Sequence, residues 1–372
     1  MLTTLSVYRC FGPKEGEMVV NCSQWRRYSA IILTLGVFLA LPLGLPAGSA
    51  WALSWQFLGP EPITQAQANF NGYLVGPTFH ASGRVTTVAA DPATSGRVFV
   101  GTANGGLWMV TGANGSSPSY TRISDTLPNP TQAIGAIALD TTTSPPTVYV
   151  GTGEGNFCAD CYYGRGLFYS TNLGATWNEL FPSDFEEQAF TKLVLVNSSG
   201  TEYLFAGVTQ GFSTNRNDND VRQSTATKNG LWRIKLGNTP VDKHYTAATF
   251  GNCTTPANGG NCPADDIAAI TVSGSYDIFV GIDGNFSSGG GGLYESTDIG
   301  TTWTPVLTAG ACAGLSPCPT SIGRISLAGS GSTVYAMIGA FLAGGGAGPY
   351  PYAGFYHSAN LGTSWSQMSV PC

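Results

Sequence analysis

Two acidic residues occupy matching places in two repeats, Glu154 in G-T-G-E-G and Asp283 in G-I-D-G-N. Two carboxyl groups across a mouth can act as acid and base on a glycosidic bond. Surface turns use acids more often for solvation than for chemistry, so both readings stand. Arg84 and Arg324 each open an apolar run and can pair with a carboxylate or sulfate on a ligand, or simply sit as solvated rim charges. Trp108, Phe157, Tyr162 and Tyr163 lie in or beside Gly-rich stretches, where an aromatic face can stack on a sugar ring or pack in a core. In N-R-N-D-N-D (215–220), Asp218 and Asp220 offer oxygen ligands for Ca²⁺, but the spacing completes no calcium-loop pattern and a solvated insertion is the plainer reading. No other cofactor is expected.

The chain that must position these groups has 372 residues, of which only 10% are charged, with 50 Gly and 22 Pro. So few charges argue against a charge-laced helical protein, while 42% hydrophobic residues supply a core. A net charge of −6 excludes a broad phosphate-binding surface, and with it nucleic acid as a partner.

Residues 1–52 read as a signal peptide. Arg26 and Arg27 precede an apolar run from Ile31 to Leu45, and Ala50-Trp51-Ala52 supplies small residues for cleavage. The stretch before the arginines is long, which makes Met18 an alternative start. An uncleaved anchor is the other reading and the only route to a membrane; Pro42 and Pro46 interrupt the run and it is short for a span. The expected location is therefore secreted, periplasmic or cell-envelope. Export places cysteines where disulfides persist, and Cys158 with Cys161, Cys253 with Cys262 and Cys312 with Cys318 read as loop staples. The lone C-x-x-C lacks a second ligand pair for zinc, and Cys372 has no obvious partner.

From residue 53 onward one grammar recurs five times. Second strands close on small residues in R-V-F-V-G-T-A, T-V-Y-V-G-T-G, E-Y-L-F-A-G-V, Y-D-I-F-V-G-I and S-T-V-Y-A-M-I-G, aligned on Val98, Val148, Tyr203, Ile278 and Val334. First strands precede them at 84–90, 134–140, 193–197, 267–273 and 322–328, and third strands follow as G-G-L-W-M-V, R-G-L-F-Y-S, N-G-L-W-R-I, G-G-L-Y-E-S and A-G-F-Y-H-S. Four strands per repeat at this period predict an all-β fold, a β-propeller of four-stranded blades over about 84–125, 134–181, 190–250, 267–307 and 322–370.

After three of the third strands comes one motif: Ser170, Asn172, Gly174 and Trp177; Ser296, Asp298, Gly300 and Trp303; Ser358, Asn360, Gly362 and Trp365. The Asn or Asp can bond backbone amides two residues on, the Gly permits positive φ, and the Trp can wedge between blades. These turns resemble the Asp-box, or BNR, repeat of sialidases, propeller xyloglucanases and sortilin-type receptors. The resemblance implies that the boxes are structural and lie away from the ligand face. W-x-F-L-G-P (55–60), S-G-R-V…D-P (82–92) and V-G-T-x-x-G-G-L-W are similar to exported bacterial proteins with tandem blades of this type. Their fold implies seven or more blades.

Five blades fall short of that number. Residues 55–59 read as an outermost latch strand, yet the fifth repeat already has its own fourth strand in W-S-Q-M-S-V, so a chain that stops early is expected, against a five-bladed ring with an extra edge strand. The resemblance does not carry over a catalytic set. No F/Y-R-I-P element is present, Y-T-R-I-S (120–124) being nearest, and Asn104 stands where the xyloglucanase resemblance would place an acid, an amide being unable to exchange the proton. The expected function is an exported propeller that binds an extracellular glycan or peptide; the alternative is a xyloglucanase- or sialidase-like glycoside hydrolase acting through two carboxylates.

Overall fold

Runs such as V-Y-V-G-T cannot alternate polar and apolar residues, because both faces of a strand inside a stack of sheets are covered. The computed structural model describes residues 69–70, 73–74, 84–155, 162–210, 227–237, 242–251, 253, 262–272, 274–284, 291–308, 311–312, 322–339 and 352–368. The leader, the 55–59 strand, Phe157, Cys158, Cys161, Asp218, Asp220, Cys318 and Cys372 lie outside them.

Five antiparallel sheets follow in chain order. Blade 1 comprises Val85–Ala90, Val98–Thr102, Leu107–Thr111 and Ser119–Arg122. Blade 2 comprises Ile134–Asp140, Thr147–Thr152, Leu167–Ser170 and Asn178–Leu180. Blade 3 comprises Gln188–Ser198, Thr201–Gln210, Gly230–Lys235 and Lys243–Tyr245. Blade 4 comprises Ala264–Val272, Ser275–Ile282, Gly292–Ser296 and Thr304–Thr308, and extends by a short fifth strand, Ala311–Cys312. Blade 5 comprises Ile325–Ser330, Thr333–Gly339, Tyr352–Ser358 and Ser366–Met368. The first strands pack side by side in the order 1 to 5, as the inner strands of a β-propeller do. A small hairpin, Asn69–Phe70 with Tyr73–Leu74, precedes the blades.

Four apolar clusters fill the junctions between successive blades. Phe99, Leu107 and Ile123 of the blade 1 repeat meet Ile134, Val150 and Phe168 of blade 2. Leu167 meets Phe190, Leu204 and Trp232 across the next junction. Phe205 and Leu231 meet Ile278, Val280 and Tyr294, and Phe279 and Leu293 meet Ile325, Ala336 and Tyr356. Each blade thus has a leading face, turned to the blade before it, and a trailing face, turned to the blade after it.

Pairing register shows how the inner strands interlock. In blades 1 to 4 the first strand carries a β-bulge against the second, inserting Thr86, Gly135, Thr191 and Asp265 respectively, whereas blade 5 pairs Ile325 with Ile338 and Ser326 with Met337 without a shift. The bulge residue reaches the next blade. Thr86 Oγ1 donates to Ile134 O at 2.5 Å, Thr191 Oγ1 donates to Ala264 O at 2.5 Å, and a Cβ on Gly135 would strike Phe190 O. Opposite the residue after each bulge lies a glycine: Gly101, Gly151, Gly207 and Gly281. These glycines are seats for the following blade. Ile134 lies against Gly101, Phe190 against Gly151, Ala264 against Gly207 and Ile325 against Gly281. Aligned on the seats, Leu204 rather than Tyr203 is the blade 3 equivalent of Val98; the A-G spacing of E-Y-L-F-A-G-V concealed that one-residue offset.

The three S-x-[ND]-x-G turns share one hydrogen-bond pattern. Ser170 Oγ accepts the Gly174 N–H at 2.8 Å and donates to Asn172 Oδ1, which also accepts the Thr176 N–H at 2.9 Å. Asp298 and Asn360 are held identically by Ser296 and Thr302, and by Ser358 and Ser364. The glycines have positive φ, and so do the residues before them, Leu173, Ile299 and Leu361, at 58°, 54° and 52°. Each turn rests on the preceding blade's repeat. Gly174 abuts Ile123, Gly300 abuts Tyr245 and Phe205, and Gly362 abuts Phe279. Trp177 Nε1 donates to Ile123 O at 3.0 Å, while Trp303 packs edge-on against Tyr245 and Phe250.

Candidate functional site

The site candidates gather at one end of the blades, where first strands begin and second strands finish. A threonine closes the turn there in blades 1 and 2: Thr102 Oγ1 donates to Gly106 O and accepts the Gly105 N–H, and Thr152 Oγ1 donates to Gly166 O and accepts the Arg165 N–H. Gly106 and Gly166 have φ of +83° and +125°, so the tight return in G-T-x-x-G-G-L and R-G-L needs glycine at these points.

Backbone hydrogen bonds fix which positions correspond. The N–H groups of Ala103, Gly153, Asp283 and Gly339 donate to the carbonyls of Arg84, Ala133, Pro263 and Arg324. Arg84 and Arg324 therefore occupy one equivalent position. Asp283 corresponds to Gly153, and Glu154 lies one residue further on, so the two acids do not share a place in the repeat.

Glu154 is buried, and its carboxylate forms an ion pair across the first junction with the half-exposed Arg84 guanidinium. Its N–H donates to Tyr162 O at 2.8 Å. That bond ties the Tyr162 backbone beside the ion pair while the Tyr162 side chain stays exposed. Next to it the Arg165 guanidinium lies over the Tyr163 ring at 5.3 Å.

Asp283 is also buried, and its charge acts on Asp265 of the same blade, which also feels Arg324 across the fourth junction. Asp265 was not among the residues singled out from sequence. Its Oδ2 accepts the Ile325 N–H at 2.9 Å, and its Oδ1 is buried without a hydrogen-bond partner. Burial first, and the Asp283 charge second, push the Asp265 carboxyl well above the usual carboxylate range, against the opposing pull of Arg324. Asp266, adjacent, pairs with Lys192 at 3.2 Å and accepts the Leu327 N–H. The Cys253–Cys262 disulfide braces this region, the Cys253 sulfur lying 3.4 Å from the Asp283 carbonyl oxygen. At the same end of blade 3, Gln188 Oε1 and Asn229 Oδ1 are buried without partners.

Trp108 stands just inside this end, its Nε1 donating to Gly105 O at 2.8 Å. Its strand carries it on the leading face of blade 1, in the pairing row Val88, Val100, Trp108, Arg122, where the corresponding Phe168, Trp232, Tyr294 and Tyr356 of the other blades are buried. Asp298 is engaged in its turn. Burial raises its carboxyl, but the hydrogen bonds from Thr302, Ser296 and Thr301 outweigh that and hold it low. Among the described residues no group of three or more His, Cys, Asp or Glu side chains is arranged to hold a metal ion, and no helix is long and apolar enough to cross a membrane.

No protein-family model and no curated protein matches the chain. Solved structures similar to it include an ancestral GH74 enzyme, at 16% identity and TM-score 0.48, covering 85% of this chain and 32% of that one. A GH43 β-1,3-galactosidase aligns at 12% identity and TM-score 0.34, covering 64% and 46%. A B. megaterium levansucrase mutant aligns at 14% identity and TM-score 0.39, covering 83% and 89%. The chain spans about a third of the GH74 structure and under half of the galactosidase. At such identities and scores no residue role passes from those enzymes to this chain.

Proposed function

We propose that this is an exported propeller that binds glycans at the end of the blades carrying Tyr162, Arg84 and Glu154. The observation behind this reading is the exposed ring of Tyr162, whose backbone carbonyl accepts the N–H of Glu154, the acid that pairs with Arg84. A phenol ring offers an apolar platform for a sugar face, and a neighbouring guanidinium supplies directed donors for hydroxyl or carboxylate oxygens. Export is supported by the disulfide, a bond that persists in oxidising compartments. Affinity electrophoresis through neutral and acidic polysaccharides tests the reading: Tyr162→Ala should lower affinity about tenfold or more, which corresponds to losing a stacking contact of about 1.4 kcal/mol. Absence of retardation on every polysaccharide would sink it.

A second reading, glycoside hydrolysis, is favoured by one feature. Asp265 and Asp283 are neighbouring carboxyl groups of which one is driven toward its neutral form, the division of labour an acid and a base require. Hydrolysis that survives both Asp283→Asn and Asp265→Asn would eliminate this pair.

A further inference from the structure

Five of the six large hydrophobic side chains exposed among the described residues lie on two surfaces, the leading face of blade 1 and the trailing face of blade 5. Val85 and Val88 are 53% and 59% exposed. The register places Val85 with Ile134, Phe190, Ala264 and Ile325, all buried, and Val88 with Ile137, Leu193 and Ile267, also buried. On the other side, Tyr335 corresponds to Phe99, Tyr149, Phe205 and Phe279, all buried, and is itself 36% exposed. Met337 occupies the seat that is glycine in the four preceding blades, and its cross-strand neighbour Phe355 replaces their Leu107, Leu167, Leu231 and Leu293. Met337 is 51% exposed and Met368, paired with Phe355, 37%.

We infer that the leading face of blade 1 on one copy of this chain docks against the trailing face of blade 5 on a second copy, head to tail. The chain itself holds four worked examples of a leading face on a trailing face, built from the same rows of residues. Blade 1 and blade 5 each present one half of such an interface to solvent, and a second copy supplies the matching half. Tyr335, Phe355 and His357 are stacked, which gives this face a preformed aromatic surface. Met337 partly fills its seat with a flexible side chain, and the visiting residue, Val85, is shorter than the Ile or Phe that enters three of the internal seats. The contact should therefore be looser than the internal junctions and depend on concentration. Being heterologous, it builds rings or open filaments according to whether its rotation closes.

Two charge substitutions on exposed positions test this without touching the core. Val88→Asp spoils only the leading face and Met337→Asp only the trailing face. In analytical ultracentrifugation of the protein recovered from the exported fraction, the wild type should form concentration-dependent assemblies, and each variant alone should sediment as a monomer with unchanged circular dichroism. An equimolar mixture of the two variants should yield dimers and nothing larger, because one intact face of each kind remains. A monomeric wild type, or a mixture that stays monomeric, would overturn the proposal. So would a wild type whose assemblies persist in both variants.

Discussion

Asp265 Oδ2 accepts the backbone N–H of Ile325 at 2.9 Å, joining the inner strands of blades 4 and 5 through the one bulge residue that carries a carboxyl group. Thr86 and Thr191, at equivalent bulges, instead donate to carbonyls of the next blade. Asp265→Ala should cost about 1–3 kcal/mol, the penalty for a buried N–H left unsatisfied. Asp265→Asn keeps an acceptor for Ile325 and removes the titrating group, so chemical denaturation at neutral pH should find it within about 1 kcal/mol of wild type. Equal losses in both variants would refute this role.

The tryptophans that follow the three turns are not equivalent in bonding. Trp177 Nε1 donates to Ile123 O, whereas Trp365 Nε1 is buried without a partner. Trp177→Phe is expected to destabilise by about 1 kcal/mol beyond any packing loss that it shares with Trp365→Phe. Urea midpoints of the two variants measured side by side give the comparison.

Glu295 should make stability fall with rising pH. Burial first, and the Asp277 charge second, push its carboxyl from 4.5 to about 7. A carboxyl with a raised value in the native state binds its proton more tightly there than in the unfolded chain. Its favourable contribution is complete below about pH 4.5 and is lost as pH rises through about 7. Because Glu295 is only half-buried, the loss is on the order of 1 kcal/mol after allowing for solvent screening. Glu295→Gln should flatten the dependence of Tm on pH across this window; an unchanged slope would remove Glu295 as its source.

Gly151 is tested by a single methyl group. A Cβ there would press into the Phe190 ring, so Gly151→Ala should destabilise by about 1–3 kcal/mol. Gly200, whose Cβ position is open but whose φ is +80°, provides a control in which any loss comes from backbone strain alone.

The blades were legible because strands covered on both faces read as apolar runs ending on Gly, and 134–140 in particular was bounded correctly from that pattern alone. The blade 3 and blade 4 inner strands begin earlier than their apolar cores suggest, at Gln188 and Ala264, since their opening residues include polar ones. Asp265 was hidden in this way: a bulge adds a residue to one strand without leaving a mark in composition, and the apolar run that marks this strand starts only at Ile267. Left-handed backbone at Leu173, Ile299 and Leu361 was equally silent, because nothing in a Leu or Ile side chain announces it. Trp108 was legible as part of a third strand, but which blade face that strand delivers it to follows only from the pairing register. The burial of Glu154 and Asp283 depends on contacts between repeats, which a reading along one strand at a time does not contain.

The glycine seats give the stack a direction. Every seat belongs to the earlier blade and every side chain that enters it belongs to the later one, so a ribosome finishes each receptacle before its occupant exists. Docking can then advance in the order of synthesis, each new blade meeting a seat that is already complete.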